Sequence, residues 1–338
     1  MTIYDIAKEA GVSASTVSRV VNGKAGVNAE TKQRIQELLD RYHYIPNETA
    51  RGLVTQNNRM IGVMVCDIRN QHYTRGAYTV EQEFGRRGYH SIFLTTGGRQ
   101  EAQAEAIRSL RQRAVTGIVL IGSTFQNEAV EEAIRQALSA TPVVMVNGFL
   151  DLPNVSGVIT DERSGVRELV GRFVKKGHRR LAFINLENTP SNALKVQGFL
   201  DGLADAGIGG EPAVLHMHSS YENCAQELRE FLQSRPELDG VIFSDDLLAS
   251  IGGKIIAALG IAVPERMIYA GINNSVFSAV ASPSISCIDN RLEDACMLAA
   301  KRLEEAMDGV AAERLTVIPP LILERESTGE ADIGWISL

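Results

Sequence analysis

No stretch of this chain stays apolar for anything near the ~20 residues a membrane-spanning helix needs, and no basic-then-apolar leader opens it. No membrane partner is therefore expected, and the chain reads as cytoplasmic. Cysteine is scarce: Cys66, Cys224, Cys287 and Cys296 stand far apart with no C-x-x-C pair. That argues against a zinc site and against a disulfide framework, and leaves reduced, mostly buried thiols as the expectation. The signatures of common α/β enzymes are missing too. No G-x-G-x-x-G follows a strand, Gly207-Ile-Gly-Gly210 falling instead between a helix and a strand. There is no G-x-x-x-x-G-K-[S/T] phosphate loop and no G-x-S-x-G elbow. His216 and His218 form an H-x-H with no carboxylate or cysteine at ligand spacing, so a surface pair is expected rather than a metal site. The reading is of a chain with no catalytic residues, no metal and no cofactor. Internal repeats and low-complexity tracts are also absent.

What is present is the material of an ordinary globular protein: 338 residues, 44% hydrophobic and 22% charged, enough for two or three domains. The net charge of −7 is unevenly spread. Residues 1–59 hold eight lysines and arginines against six acids, a small positive excess, while the remainder is acidic. A mildly basic head on an acidic body suits a small nucleic-acid-reading module attached to a larger domain.

The first 44 residues predict three short helices. Thr2 suits the N-cap of the first, whose apolar positions Ile3, Ile6, Ala7 and Ala10 recur at helical spacing, and Gly11 ends it. Ser13 suits the cap of a second helix, 14–22, with Val17, Val20 and Val21 facing inward; Asn22-Gly23 punctuates its end. Asn28 caps a third from Ala29 to about Tyr42, and Pro46 closes the unit.

From Met60 the pattern changes to short apolar strands alternating with amphipathic helices. Strands are expected at 61–66, 91–95, 117–121, 143–147, 157–160, 181–185, 213–217, 240–244, 267–271, 284–288 and 316–323. Helices are expected at 79–87, 103–113 and 161–176 among others. Alternation of this kind implies parallel sheets covered on both faces. Eleven strands overfill one doubly wound sheet, so two α/β subdomains with a cleft between them fit better, with a boundary near 147–161 and a chain crossover near 284–292. Ligands of such sheets bind beyond the carboxyl ends of the strands, which makes the cleft the default ligand site.

The strongest motif is the run from Thr2 to Gly23. A helix-turn-helix needs a small residue at the bend, an apolar seam joining its helices, and short polar side chains where the second helix enters the major groove. Gly11, the valines, and Ala14, Ser15, Thr16, Ser18 and Arg19 meet these needs. Here the chain resembles the lactose-repressor/galactose-repressor (LacI/GalR) family of transcriptional regulators. The likeness continues through Tyr44-Ile-Pro-Asn47, Ala50-Arg-Gly-Leu53, Ile61-Gly-Val63, Gly177-His-Arg-Arg-Leu-Ala-Phe183, Gly198-Phe199, Ser244-Asp-Asp246, Val263-Pro-Glu265 and Pro320-Leu-Ile-Leu-Glu-Arg-Glu-Ser327.

The resemblance implies an all-α helix-turn-helix headpiece joined to an α/β periplasmic-binding-protein-like body of two parallel-sheet subdomains. It divides the chain into a DNA-binding domain at 1–46, a hinge helix and linker at 47–59, an effector-binding and dimerisation domain at 60–330, and a tail at 331–338. It implies a regulator, most simply a repressor, that binds pseudo-palindromic operator DNA as a homodimer and is controlled by a small polar effector. By position, Ala14, Ser15 and Arg19 would read bases, the arginine pairing bidentately with guanine. Tyr4, Thr16, Ser18 and Asn22 would hold phosphates, Tyr4 being equally readable as a packed aromatic. Asn47 would cap the hinge helix that includes Ala50, and Leu53 would wedge between the central base pairs. Because the chain stops soon after Ser327 without a leucine heptad, an appended tetramerisation helix is not expected.

For the effector, position implies His72, Tyr73, Asn147, Asp161, Ser191, Lys195, Asp245 and Asn273. Such groups make the paired hydrogen bonds that sugar hydroxyls require, Tyr73 could stack on a sugar face, and Asp161 is alternatively a helix cap. Several depart from the family pattern: His72-Tyr73 stands where Phe-Phe is usual, Lys195 near a frequent arginine, and Asn273 where aspartate is common. Carbohydrate is the leading class, while a modified sugar, a sugar acid paired with Lys195, a non-sugar metabolite and a ligand-blind body remain open.

Overall fold

The three helices of the head form where local chemistry places them. α1 (Ile3–Ala10) opens on a capping box, the Thr2 hydroxyl accepting from the Asp5 N–H and the Asp5 carboxylate from the Thr2 N–H at 2.8 Å. Gly11, at φ 64°, closes it in the left-handed conformation that costs glycine nothing. Ser13 caps α2 (Ala14–Val21), and Asn28 caps α3 (Ala29–Arg41) through the Thr31 N–H at 2.7 Å. Ile6, Ala10, Val17, Val20, Ile35, Leu38 and Leu39 bury the inner faces as one small core.

The computed structural model describes residues 2–44, 59–186, 188–217, 220–221, 223–311 and 313–330. The chain divides into two units, Met1–Asn58 and Arg59–Leu338. In the second unit the chain runs β1 (Met60–Val65), α4 (Gln71–Arg86), β2 (His90–Thr95), α5 (Gln100–Gln112), β3 (Gly117–Ile121), α6 (Glu128–Ala137), β4 (Val143–Val146) and β5 (Val155–Thr160). It then crosses to a second sheet through α7 (Glu162–Lys175), β6 (Leu181–Asn185), α8 (Pro190–Asp205), β7 (Ala213–His216), α9 (Cys224–Gln233), β8 (Gly240–Phe243), α10 (Asp246–Ala258), β9 (Ile268–Ile272), α11 (Val276–Val280) and β10 (Ser286–Asp289). α12 (Leu292–Met307) and β11 (Leu315–Ile318) return to the first sheet, and β12 (Leu321–Leu323) joins the second.

The sheet orders are β11-β5-β4-β3-β1-β2 and β12-β10-β9-β8-β6-β7, parallel throughout except for β12 against β10. Their inner strands, such as β1, β3 and β4, are continuous apolar runs because helices cover both faces. In the first sheet Val63, Val80 and Phe84 pack with Leu292, Ala299 and Leu303 of α12 on one side, and Ile107, Leu110 and Ile134 fill the other. In the second sheet α7 and α8 lie so close that a Cβ on Gly198 would meet the Arg163 carbonyl oxygen, and one on Gly202 would meet the Val170 Cβ at 2.6 Å.

Two sequence expectations are corrected. The strand expected over 316–323 is two strands in different sheets. Pro319 and Pro320 between them have no N–H for a ladder, and the chain crosses between subdomains there. The helix expected at 79–87 begins two turns earlier, at Gln71, where the Asn70 side chain caps it through the His72 N–H at 2.9 Å. Its first turn, Gln71-His72-Tyr73-Thr74, faces the cleft and so shows little of the apolar periodicity that marks a core-facing helix. No helix among the described residues is long and apolar enough to cross a membrane, and no disulfide joins the four cysteines.

Candidate functional site

On the head, the second helix presents a polar surface opposite its buried Val17 and Val20. Ser15 and Arg19, one turn apart, are exposed on the same face; Ala14, Thr16, Ser18 and Asn22 are half-buried. The Ser13 hydroxyl lies 2.8 Å from that of Ser15 and 2.9 Å from that of Thr16, and the Asn22 amide donates to the Ser18 carbonyl at 2.7 Å. These bonds hold the short side chains at both ends of the helix. Tyr4 is 73% exposed, which removes the packed-aromatic alternative and leaves its ring and hydroxyl at the surface. Asn47, Ala50 and Leu53 lie outside the described residues.

In the body, a cavity of about 70 Å³ sits at the carboxyl ends of both sheets. His72 and Tyr73 reach it from the first turn of α4, Asn147 from the end of β4, Ser191 and Lys195 from the start of α8, Asp245 from the end of β8 and Asn273 from the end of β9. Asn147 and Asn273 adopt φ of 55° and 107°, conformations that asparagine tolerates better than most residues. Seven of the eight residues implied by the resemblance are thus brought together.

Asp161 is not among the lining residues, which corrects its implied place there. Its carboxylate caps α7, accepting from the Ser164 N–H at 3.1 Å and the Ser164 hydroxyl at 2.6 Å. The adjacent Glu162 faces the cavity instead. Glu162 recurs with Val166, Leu169, Val170 and Phe173 at helical spacing on the buried face of α7, a register that the sequence itself carries. Ser123, Thr189, Asn192, Tyr221 and Ser244 also line the cavity. They come from loops or first turns that no periodicity marks.

The electrostatics are tightly arranged. The Lys195 ammonium lies 3.5 Å from the Glu162 carboxylate and donates to the Ser244 carbonyl at 3.2 Å; the two side chains are 6% and 4% exposed. The Ser191 hydroxyl donates to the other Glu162 oxygen. Asp245 caps α10 through the Leu248 N–H at 2.9 Å and accepts from the Tyr221 hydroxyl at 2.8 Å. Burial raises its carboxyl above the usual range, opposed by those two donors and by Lys195. Burial, reinforced by Lys195 and Arg75, lowers the His72 imidazole to about 3, so it is neutral across the physiological range. Its Nδ1 has no hydrogen-bond partner. The His72 ring stands edge-on to Tyr73, whose own ring packs where a Cβ on Gly122 would lie, 2.8 Å away.

Among the described residues, two contacts bridge the cleft. From α4, Arg75 donates to the Asn274 carbonyl at 3.1 Å and the Asn273 carbonyl at 3.4 Å, while Glu293 of α12 holds the guanidinium at 2.6 Å. The Ser191 N–H donates to the Ser123 hydroxyl at 3.1 Å. Away from the cleft, His216 is exposed and its Nδ1 lies 3.3 Å from the Asn185 amide; His218 lies outside the described residues. Among the described residues no three His, Cys, Asp or Glu side chains are grouped to hold a metal ion.

Residues 2–47 match the family model described as bacterial regulatory proteins, lacI family, and residues 170–328 match the periplasmic binding protein-like domain. A transcriptional regulator of the helix-turn-helix type from Lachnoclostridium phytofermentans is 27% identical, the alignment covering 97% of this chain and 99% of that one. Catabolite control protein A of Staphylococcus aureus is 29% identical over the same shares. Among solved structures, the Lac repressor dimer bound to operator and the anti-inducer ONPF superposes with a TM-score of 0.85 at 21% identity, covering 97% of this chain and 99% of that one. The transcriptional regulator CelR in its cellobiose complex gives 0.71 at 23% identity over the same shares. The head is thus a helix-turn-helix domain and the body has the periplasmic-binding-protein fold.

Proposed function

The chain belongs to the LacI family of bacterial DNA-binding transcriptional regulators, and from that premise we propose that it is a repressor released from or fastened to its operator by a carbohydrate-like effector. The observation that supports this best is the polar cavity between two subdomains whose opposing walls are bridged by Arg75 and by Ser191. At about 70 Å³ the cavity is smaller than the ~300–1,000 Å³ of ligand pockets, so a sugar enters only when the subdomains move apart. Binding then trades the bridging contacts for contacts to ligand, which gives the two states differential affinity, the requirement for an allosteric switch.

In this reading the protein acts in the cytoplasm as a homodimer, which supplies two heads for the two halves of a pseudo-palindromic operator. Ala14, Ser15 and Arg19 read bases, while Tyr4, Thr16, Ser18 and Asn22 fix register on phosphates. The hinge roles that the family resemblance gives Asn47, Ala50 and Leu53 fall on residues outside those described. The relatives being transcriptional regulators, the chain is read as having no catalytic activity. The solved regulator complex with cellobiose favours a carbohydrate over a non-sugar effector.

The test is operator selection from random duplexes, followed by fluorescence-anisotropy titration with and without a panel of sugars. Arg19→Ala should weaken binding by about 1–3 kcal/mol and relax preference at one base pair per half-site. An unchanged preference rejects the assignment of Arg19, and a duplex affinity that no sugar alters rejects the carbohydrate effector.

A further inference from the structure

We propose that the cleft takes a ligand rich in hydroxyl or amino donors and free of negative charge, an uncharged polyol or an aminated sugar, and rejects sugar acids and sugar phosphates. The proposal rests on the carbohydrate reading above and adds the charge class of the ligand.

It stands on where each charge around the cavity finds its partner. Lys195 is the only lysine or arginine lining the cavity among the described residues. Its ammonium is already held by the Glu162 carboxylate and the Ser244 carbonyl. A ligand carboxylate or phosphate would have to displace Glu162, itself buried and bonded to Ser191. The neighbouring cations are committed elsewhere. Arg75 does not line the cavity and is paired with Glu293 on its own side of the cleft, whether or not its bridging bonds are made. Arg325 is enclosed among the Ser278 hydroxyl, the Ile285 carbonyl, the Cys287 sulfur and the Asn274 amide oxygen. The surplus group is Asp245, whose donors, the Leu247 and Leu248 N–H groups and the Tyr221 hydroxyl, carry no charge. An incoming anion therefore meets an unbalanced carboxylate and no free cation.

Helix N-termini ordinarily attract anions, and α4, α8 and α10 all begin at this cavity. Here each of these helix starts spends at least one first-turn N–H on the oxygen of its own cap residue. Asn70 takes the His72 N–H, Thr189 the Asn192 N–H and Asp245 the Leu248 N–H, each a bond within the helix's own cap. The Asn70, Asn147 and Asn273 amide oxygens already accept from the His72 N–H, the Thr160 N–H and the Asn290 amide, so the cavity offers a ligand amide N–H groups, hydroxyls and the Asp245 carboxylate, a mixture that uncharged hydroxyl groups, donors and acceptors at once, satisfy.

The experiment is calorimetry on the full chain with charge-matched series, each a parent sugar, its 2-amino derivative, its uronic acid and its 6-phosphate, across several hexose and pentose scaffolds. The expected result is a scaffold whose parent or amino form binds, with the acid and phosphate at least about tenfold weaker. Asp245→Asn keeps the helix cap, asparagine capping as well as aspartate, and removes the surplus charge. It should narrow the gap between parent and acid and abolish any preference for the amine over the parent. An acid or phosphate that binds more tightly than its parent overturns the proposal and leaves the carbohydrate reading standing. An Asp245→Asn variant with unchanged ratios also overturns it. Failure of every sugar, charged or not, overturns both.

Discussion

Replacing Lys195 by methionine tests the electrostatics of the cleft directly, because it removes one charge from a pair that water barely reaches. At 3.5 Å and an effective dielectric constant of ~20, the ammonium and the Glu162 carboxylate attract by about 5 kcal/mol, against which stands the cost of having desolvated both. Methionine fills a similar volume but leaves the carboxylate with only the Ser191 hydroxyl as partner. The expected loss is about 3–5 kcal/mol, the usual cost of stranding a buried charge. Glu162→Gln strands the ammonium on the Ser244 carbonyl and should cost a similar amount. The double variant strands neither, and should fall short of the sum of the two losses by about 2 kcal/mol or more. Urea unfolding followed by circular dichroism and by tyrosine fluorescence gives the four free energies, coincidence of the two probes licensing the two-state treatment. Single losses below about 1 kcal/mol, or strict additivity, would refute the buried pair, and with it the argument that Lys195 is unavailable to an anionic ligand.

Gly198→Ala should cost about 3 kcal/mol, since its Cβ would collide with backbone at Arg163, whereas Gly171→Ala, with nothing within 4 Å, should gain up to about 1 kcal/mol; equal thermal midpoints would contradict the close approach of α7 and α8. Arg75→Ala removes charge-assisted bonds across the cleft and should favour the open body by about 2 kcal/mol, seen as a larger radius of gyration in X-ray scattering; an unchanged profile counts against the bridge. Asp246 is buried, and burial pushes its carboxyl up to about 7 from an ordinary 3.8. The folded protein thus keeps a proton that the unfolded chain releases, and the stability this gives is complete below about pH 4 and lost as pH rises through 7. Asp246→Asn should therefore gain on the parent protein as pH goes from 4 to 8. His72, whose lowered value acts with the opposite sign, is common to both and cancels. A difference that stays flat with pH would exclude the raised value.

Much of the head is local in origin and so was legible. Thr2, Ser13 and Asn28 cap their helices with their own side chains, Gly11 turns left-handed after α1, and the apolar seam recurs at the helical period. The strands of the body were equally plain, because a strand covered on both faces must be a continuous apolar run. Local signals failed where the chain serves the cleft. The first turn of α4 is polar since its His72 and Tyr73 face the cavity, and its Asn70 cap precedes no apolar period that would mark it. Pro319 and Pro320 sit inside what read as one strand and divide it between two sheets.

The sequence by itself determined the elements and the two kinds of architecture, since caps, turns and hydrophobic periods act over a few residues. Tertiary structure alone decided the pairings. Glu162 meets Lys195 across 33 positions, Arg75 meets Asn274 across 199, and Tyr221 reaches Asp245 from a loop with no pattern of its own. Those meetings depend on the order of strands in each sheet and on three crossings between them, at Thr160–Asp161, after Asp289 and at Pro319–Pro320. A carboxylate's neighbours set whether it holds a cation, caps a helix or waits for a ligand. Asp161 and Glu162, adjacent in the chain, part company for that reason: one points along the start of α7 and caps it, the other points inward to a lysine.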